Sequence, residues 1–226
     1  MSNNGPINFA AERATMVERQ LRQRGIDDPA ILEAFLAVPR EMFVGAEYAH
    51  LAYGDHPLPI EAGQTISQPY IAALMIAAAA IGAGDRVLEV GAGSGYAAAV
   101  IGRIAKAVIG IERKPELAEI ARERMRRFGY INVEIVAGDG TQGWPVAAPY
   151  DAILVAASGS HVPPALTEQL ARGGSIVMPV GGPGRDQKLI KATKRADGSL
   201  EQLDLGAVRF VPLIGAEGWS DSGQSS

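Results

Sequence analysis

From residue 84 onward, short apolar runs alternate with longer mixed segments in a regular order. Residues 86–90, 107–111, 133–137, 152–156 and 175–180 are rich in Val, Ile and Ala and read as buried strands. Residues 96–105, 115–128 and 163–171 lie between them and have helix-forming composition. Such alternation predicts a mostly parallel sheet with helices on both faces, a doubly wound α/β core of Rossmann-like type. Two β-like runs, 188–194 and 207–214, follow the break at Gly181-Gly182-Pro183-Gly184, with Ala196-Asp197-Gly198 as the turn between them. A late pair without an intervening helix suits an antiparallel edge and brings the strand number to seven.

Upstream the pattern is helical. Residues 10–24 carry Met16, Val17 and Leu21 among charges and end at Gly25, the pattern of an amphipathic helix with a glycine stop. Asp28 stands as a cap ahead of Pro29, which opens a helix to Ala37 before Pro39 halts it. Residues 40–53 read as a short helix plus loop and 55–68 as a long irregular connection. Pro69 then opens a helix running to about Ile81. The chain thus divides into a helical extension with a long loop (about 7–82), an α/β core (about 84–214) and a Gly/Ser-rich flexible tail (215–226), together one domain. Residues 1–6 read as frayed.

The first core strand carries Glu89 and runs into Gly91-Ala92-Gly93-Ser94-Gly95. Glycines there let backbone approach a ligand and aim helix N–H groups at it. A dinucleotide fingerprint would place a third glycine at 96, where Tyr96 stands, so that pattern fails. An acid two residues ahead of G-x-G-x-G instead resembles the first motif of the class I methyltransferases, which bind S-adenosyl-L-methionine. A tight turn without a ligand is the alternative. In open α/β sheets ligands sit at the carboxyl ends of strands, so the acids there matter. Glu112 ends the second strand and can accept from ribose hydroxyls; it is otherwise a helix N-terminal acid ahead of Pro115. Asp139, between Gly138 and Gly140, can accept from an adenine amino group or simply belong to an Asp-Gly turn. Glu89 is an acid inside a buried strand, costly unless something polar or cationic meets it.

Composition narrows the chemistry. The 226 residues are 47% hydrophobic and 20% charged, ordinary for a globular domain. A net charge of −4 provides no general drive toward phosphate backbones, so nucleic acid is not expected as a partner. With no cysteine there are no disulfides or thiolate sites, and three scattered histidines predict no metal. His56 and His161 read as loop histidines. The apolar run 71–81 is too short and Ala-rich to cross a bilayer, and no apolar signal core stands at the N-terminus; a soluble, cytoplasmic protein is expected.

The end of the fourth strand, 155–159, lacks the Asn/Asp-Pro-Pro-aromatic element of many amino-nitrogen methyltransferases, so acceptor chemistry is expected in 57–69 instead. There the chain reads Gly-Gln-Thr-Ile-Ser-Gln-Pro at 63–69. Further motifs are Val-Pro-Arg-Glu-Met-Phe-Val at 38–44, Leu-Glu-Val-Gly-Ala-Gly-Ser-Gly-Tyr at 88–96, Gly-Asp-Gly at 138–140, Val-Met-Pro-Val-Gly at 177–181 and Val-Arg-Phe-Val-Pro-Leu at 208–213. With these the chain resembles the protein-L-isoaspartate O-methyltransferase family. The resemblance implies methyl transfer from S-adenosyl-L-methionine, leaving S-adenosyl-L-homocysteine, to the free α-carboxylate of isoaspartyl residues in damaged proteins and peptides. The ester then collapses to a succinimide, whose hydrolysis partly restores aspartate. It further implies a monomer, Ser67 as catalytic residue, and Thr65, Ile66, Phe210, Val211 and Pro212 as substrate-binding. The expected cofactor set is Glu89, Gly91, Ala92, Gly93, Ser94, Gly95, Glu112, Asp139 and Gly140, without a metal.

An α-carboxyl has a pKa near ~3.5 and is ionised at neutral pH, so it needs orientation rather than a base. Ser67 is placed for that by one hydrogen bond, although two residues ahead of Pro69 it also sits near a helix start, where capping is the alternative. The chain departs from the family pattern at Glu61-Ala62, at 157–161 and at Ile214, which bears on peptide preference. A methyltransferase with another acceptor, or a binding protein that has lost transfer, are the rival readings.

Overall fold

Asn8 caps the first helix, α1 (Phe9–Met16), its side chain accepting from the Ala11 amide at 3.2 Å. The helix widens to a π turn over Val17–Leu21, tightens over Arg22–Arg24 and stops at Gly25, whose φ of 89° suits glycine. In α2 (Pro29–Ala37) Asp28 accepts from the Ala30 amide at 2.8 Å, as its position before proline predicts. Two 3₁₀ turns follow, Arg40–Phe43 and Ala46–Leu51. This computed structural model describes residues 7–183 and 186–221; residues 1–6, with their expected fraying, and Gly184 of the Gly-Pro break lie outside that range.

The connection at 55–68 is more ordered than its composition suggests. β1 (Leu58–Pro59) pairs antiparallel with β2 (Thr65–Ile66) around a 3₁₀ turn at Glu61–Gly63. Strands of two residues are too short to show alternation, which is why the pattern concealed them. Helix α3 (Pro69–Ala79) then leads into the core.

The core runs β3 (Arg86–Val90), α4 (Tyr96–Gly102), β4 (Ala107–Glu112), α5 (Pro115–Arg127), β5 (Val133–Ala137), β6 (Tyr150–Val155), α6 (Pro164–Glu168), β7 (Leu170–Val180), β8 (Gln187–Lys194) and β9 (Leu200–Val208). The strand order is β5-β4-β3-β6-β7-β8-β9, parallel as far as β7 and antiparallel beyond it. This is the expected doubly wound, mostly parallel seven-stranded sheet. The order reverses between β3 and β6, which opens a crevice at their carboxyl ends.

Helices α3 and α4 end at Ala79 and Gly102, short of the expected Ile81 and Ala105, and two later elements differ more from the sequence expectation. The last strand covers Leu200–Val208 and not 207–214, because an edge strand with mostly exposed side chains carries little apolar pattern. Helix α6 ends at Glu168 and β7 begins at Leu170, five residues early, with a register shift opposite Tyr150 and Ala152. The start of the Gly/Ser-rich segment packs on the core: the Trp219 indole N–H donates to the Ser158 carbonyl at 2.8 Å and its amide to that of Leu213 at 2.7 Å. Residues 222–226 lie outside the described range. Among the described residues no helix is long and apolar enough to cross a membrane.

An aromatic cluster fastens the extension to the core. Tyr96 of α4 meets Phe35 of α2 and Phe43 edge-on, with centroids 6.1 and 5.5 Å apart, and Phe43 stacks on Phe128 at 5.4 Å. All but Phe128 are buried. Phe43→Ala should therefore lower unfolding free energy by about 3–5 kcal/mol in denaturant titration, with loss of a single transition shared by extension and core. A change below about 1 kcal/mol would mean that the cluster does not couple the two.

Candidate active site

The turn after β3 is folded onto the end of β4. The Ile111 carbonyl accepts from the amides of Gly91 at 2.8 Å and Ala92 at 3.0 Å. The Glu112 carboxylate accepts from Gly93 at 2.9 Å through Oε2 and from Lys114 at 3.0 Å through Oε1. Gly95 donates to the Ala92 carbonyl at 2.8 Å. These amides are spent inside the protein, so the turn presents a ligand with space rather than the row of donors its composition suggested. Gly93 makes that space: φ is 54°, and a Cβ there would stand 3.5 Å from Ile60 Cδ1 of the hairpin loop above.

The crevice opens into a cavity of about 790 Å³. It brings together Thr65, Ile66 and Ser67 from the hairpin, Glu89, Gly91, Ala92, Gly93 and Ser94 from β3 and its turn, and Glu112 and Gly140 from the next strand ends. Phe210, Val211 and Pro212, far away in sequence, form a further wall. Two members of the expected set stand elsewhere. Gly95 does not line the cavity; it starts α4 at φ 84°, where a Cβ would press on Met125 Cε at 3.1 Å and Ala121 Cβ at 3.3 Å, so it serves the packing of α4 on α5. Asp139 borders a second, 420 Å³ cavity beside Arg113 and Gly215. It caps its own turn, Oδ1 accepting from the Thr141 amide at 2.9 Å and hydroxyl at 2.7 Å, and Oδ2 from Ala216 at 2.7 Å. Burial would raise its pKa, but these bonds outweigh burial and hold the carboxyl below the usual range. Most of its accepting capacity is therefore already used. His56 and His161 lie outside both cavities.

Ser67 does not cap α3. Gln68 occupies the N-cap position, and among the described residues the Ser67 hydroxyl has no hydrogen-bond partner. Its position in the cavity wall leaves that hydroxyl available to a ligand.

Several contributors were not legible in advance. Buried Gln187 grips Phe210 twice, its Oε1 accepting from the Phe210 amide at 2.6 Å and its Nε2 donating to the carbonyl at 3.1 Å. The Ser158 amide donates to the Val211 carbonyl at 2.8 Å. The backbone of Phe210 and Val211 is thus held from within the protein. Glu61, the departure from the family pattern, pairs with Arg124 of α5 at 2.7 Å, and the same guanidinium donates to the Ser94 carbonyl at 3.3 Å. That links the hairpin loop to the glycine turn. Arg113 and Arg209 also reach the cavity, and adjacency to Glu112 and Phe210 was the one sequence signal for them.

Known proteins resemble this chain in sequence and fold. The family profile described as Protein-L-isoaspartate(D-aspartate) O-methyltransferase (PCMT) matches residues 11–218. The chain belongs to this family. It is 53% identical over 212 residues to Protein-L-isoaspartate O-methyltransferase 2 of Pelobacter propionicus, covering 94% of each chain. It is 56% identical over 204 residues to the Protein-L-isoaspartate O-methyltransferase of Methylorubrum populi, covering 90% of this chain and 95% of the relative. Among solved structures it resembles a Plasmodium falciparum protein of the beta-aspartate methyltransferase type (PCMT) in complex with S-adenosyl-L-homocysteine, with a TM-score of 0.77 and 28% identity over 89% of this chain and 98% of that one. Membership makes this chain an S-adenosyl-L-methionine-dependent methyltransferase of the isoaspartate type.

The residues present fit that donor. Each Glu112 oxygen accepts one amide and keeps further lone-pair capacity, as a ribose diol requires. Glu89, only 3% exposed, has an Oε2 without a partner among the described residues, an acceptor that a cationic ligand would satisfy. Burial and then the nearby Glu112 carboxylate push the Glu89 pKa up to about 8, opposed by the Ala98 amide of α4. No group of three or more His, Asp or Glu among the described residues could hold a metal ion.

Glu89 makes the ligand-free enzyme sensitive to pH. The folded state holds its proton to about 8 and the unfolded chain only to about 4.5. The stability from that proton is full below the lower value and is lost as pH climbs through the higher one, up to ~5 kcal/mol in all. Ligand-free protein should melt lower at pH 9 than at pH 6, and Glu89→Gln should flatten the difference. Equal slopes for the two proteins in calorimetry would contradict the assignment.

Proposed function

We propose that the β3 and β4 ends of the cavity hold S-adenosyl-L-methionine, and that an isoaspartyl segment enters between β2 and residues 210–212. Ser67 then orients its free α-carboxylate for methylation. When bound, the donor supplies a methyl group on a sulfonium and departs as S-adenosyl-L-homocysteine. Glu112 serves the ribose, Glu89 faces the cationic portion, and Gly93 leaves room for both. Thr65, Ile66, Phe210, Val211 and Pro212 set the direction from which the acceptor approaches. Asp139 stays beside the adenine end as a shaped rim, with little spare accepting capacity.

The observation that carries this reading is the uncommitted Ser67 hydroxyl in a wall shared by both sets of residues. The acceptor carboxylate is ionised at neutral pH and requires no base. One hydrogen bond from Ser67 to one carboxylate oxygen leaves the other turned toward the donor side, and placement is where such a reaction gains most. We further propose that the chain acts on isoaspartyl proteins as a monomer in the cytoplasm.

Ser67→Ala removes one hydrogen bond to a charged group, roughly 1.5–3 kcal/mol or about 10- to 150-fold in kcat. Donor affinity by calorimetry and Tm should stay near wild type. An unchanged kcat, or a fall in donor affinity matching the fall in rate, would remove Ser67 from the acceptor role.

A further inference from the structure

Arg40 opens the 3₁₀ turn Arg40–Phe43, and its side chain is 0% exposed. Its Nε donates to the Ala52 carbonyl at 2.7 Å and its Nη2 to the Ser67 carbonyl at 2.7 Å. The guanidinium carbon lies 4.9 Å from the centroid of the Tyr96 ring. Nη1 has no hydrogen-bond partner among the described residues. The partners of this buried cation are thus two carbonyls and a ring face, not a carboxylate.

Packing alone is a poor reason for such a residue. A desolvated cation with neutral partners and one unsatisfied nitrogen costs stability, and an apolar side chain of similar volume would fill the same space at less cost. What an apolar side chain cannot do is join three separate segments through a rigid planar fork, and a lysine point charge cannot match the fork either. The segments joined are the end of the Ala46–Leu51 turn, the backbone of Ser67, and Tyr96, the first residue of α4 immediately after the glycine turn. Tyr96 also lines the cavity.

We propose that Arg40 is a positioning residue for methyl transfer: its fork fixes the Ser67 backbone against Tyr96, and so fixes the serine hydroxyl relative to the glycine turn. Arg40 touches neither reactant and acts through Ser67; the inference rests on the acceptor role given to Ser67 above. Misplacement by about 1 Å can cost on the order of 100-fold in rate.

The test is a kinetic cycle of Arg40→Lys with Ser67→Ala, measured with an isoaspartyl peptide and saturating donor. Arg40→Lys in the otherwise wild-type chain should lower kcat by about 10- to 100-fold, with donor affinity changed less than about threefold. In the Ser67→Ala background the same substitution should cost less than about threefold, because the hydroxyl it positions is gone. Any loss of Tm should be equal in both backgrounds. Arg40→Gln leaves no unpaired charge and reads the same coupling should the lysine variant not fold. Equal fold-losses in both backgrounds, or no loss in the wild-type background, would overturn the inference while leaving Ser67 in place. A silent Ser67→Ala would overturn the serine reading, and this inference with it.

Discussion

The site depends on how the end of β4 receives the turn that leaves β3. One carbonyl, Ile111, and one carboxylate, Glu112, take three successive amides of that turn. Parallel pairing of β3 with β4 brings the two ends level, with Val90 opposite Ile111. The turn's positive-φ backbone is therefore held by the protein's own groups. The same contact fixes Glu112 and leaves it capacity to accept. It also brings a second carboxylate close to Glu89, which adds to the effect of burial in raising that acid's pKa.

The other walls are fastened by comparable means. The hairpin over the turn is tied down by Glu61 to Arg124, whose guanidinium also touches the turn at the Ser94 carbonyl. The wall at 210–212 is held by Gln187 and Ser158 through backbone groups of residues 210, 211 and 213. The aromatic contacts of Tyr96 and Phe43 bind the extension to α4, so the serine loop and the cofactor strands belong to one packed unit. The cavity walls are thereby built from separate parts of the chain that share one packed core.

Much of this was readable from residues alone, for identifiable reasons. The parallel strands are continuously apolar because both faces are buried, and the helices open with Asp28-Pro29, Gln68-Pro69 and Lys114-Pro115, so type and order were plain. The acids at successive strand ends were legible because topology brings strand ends together. Legibility failed where side chains face solvent or where the deciding contact is distant. β9 is an exposed edge strand; the β1–β2 hairpin is two residues deep; Gly95 answers to Met125 on another helix; and Asp139 is occupied by Ala216, 77 residues away. Gln187 carries no local signal, and Arg40 stands in the 38–44 motif without one for its role, since their partners lie 23 and 27 residues distant. The Glu61 departure likewise acquired meaning only beside Arg124.

The central claim is that this cavity selects the α-carboxylate of an isoaspartyl link by position and not by charge. An isoaspartyl link adds a methylene to the main chain and leaves the α-carboxylate as a short branch, whereas a normal aspartate carries its carboxylate one methylene farther out. The most direct measurement is competition between peptides identical except for that link, with labelled donor and base-labile ester as the product. The account predicts a kcat/KM ratio on the order of 100 or more in favour of the isoaspartyl peptide. A ratio near unity would contradict it and make the protein a general carboxylate methyltransferase.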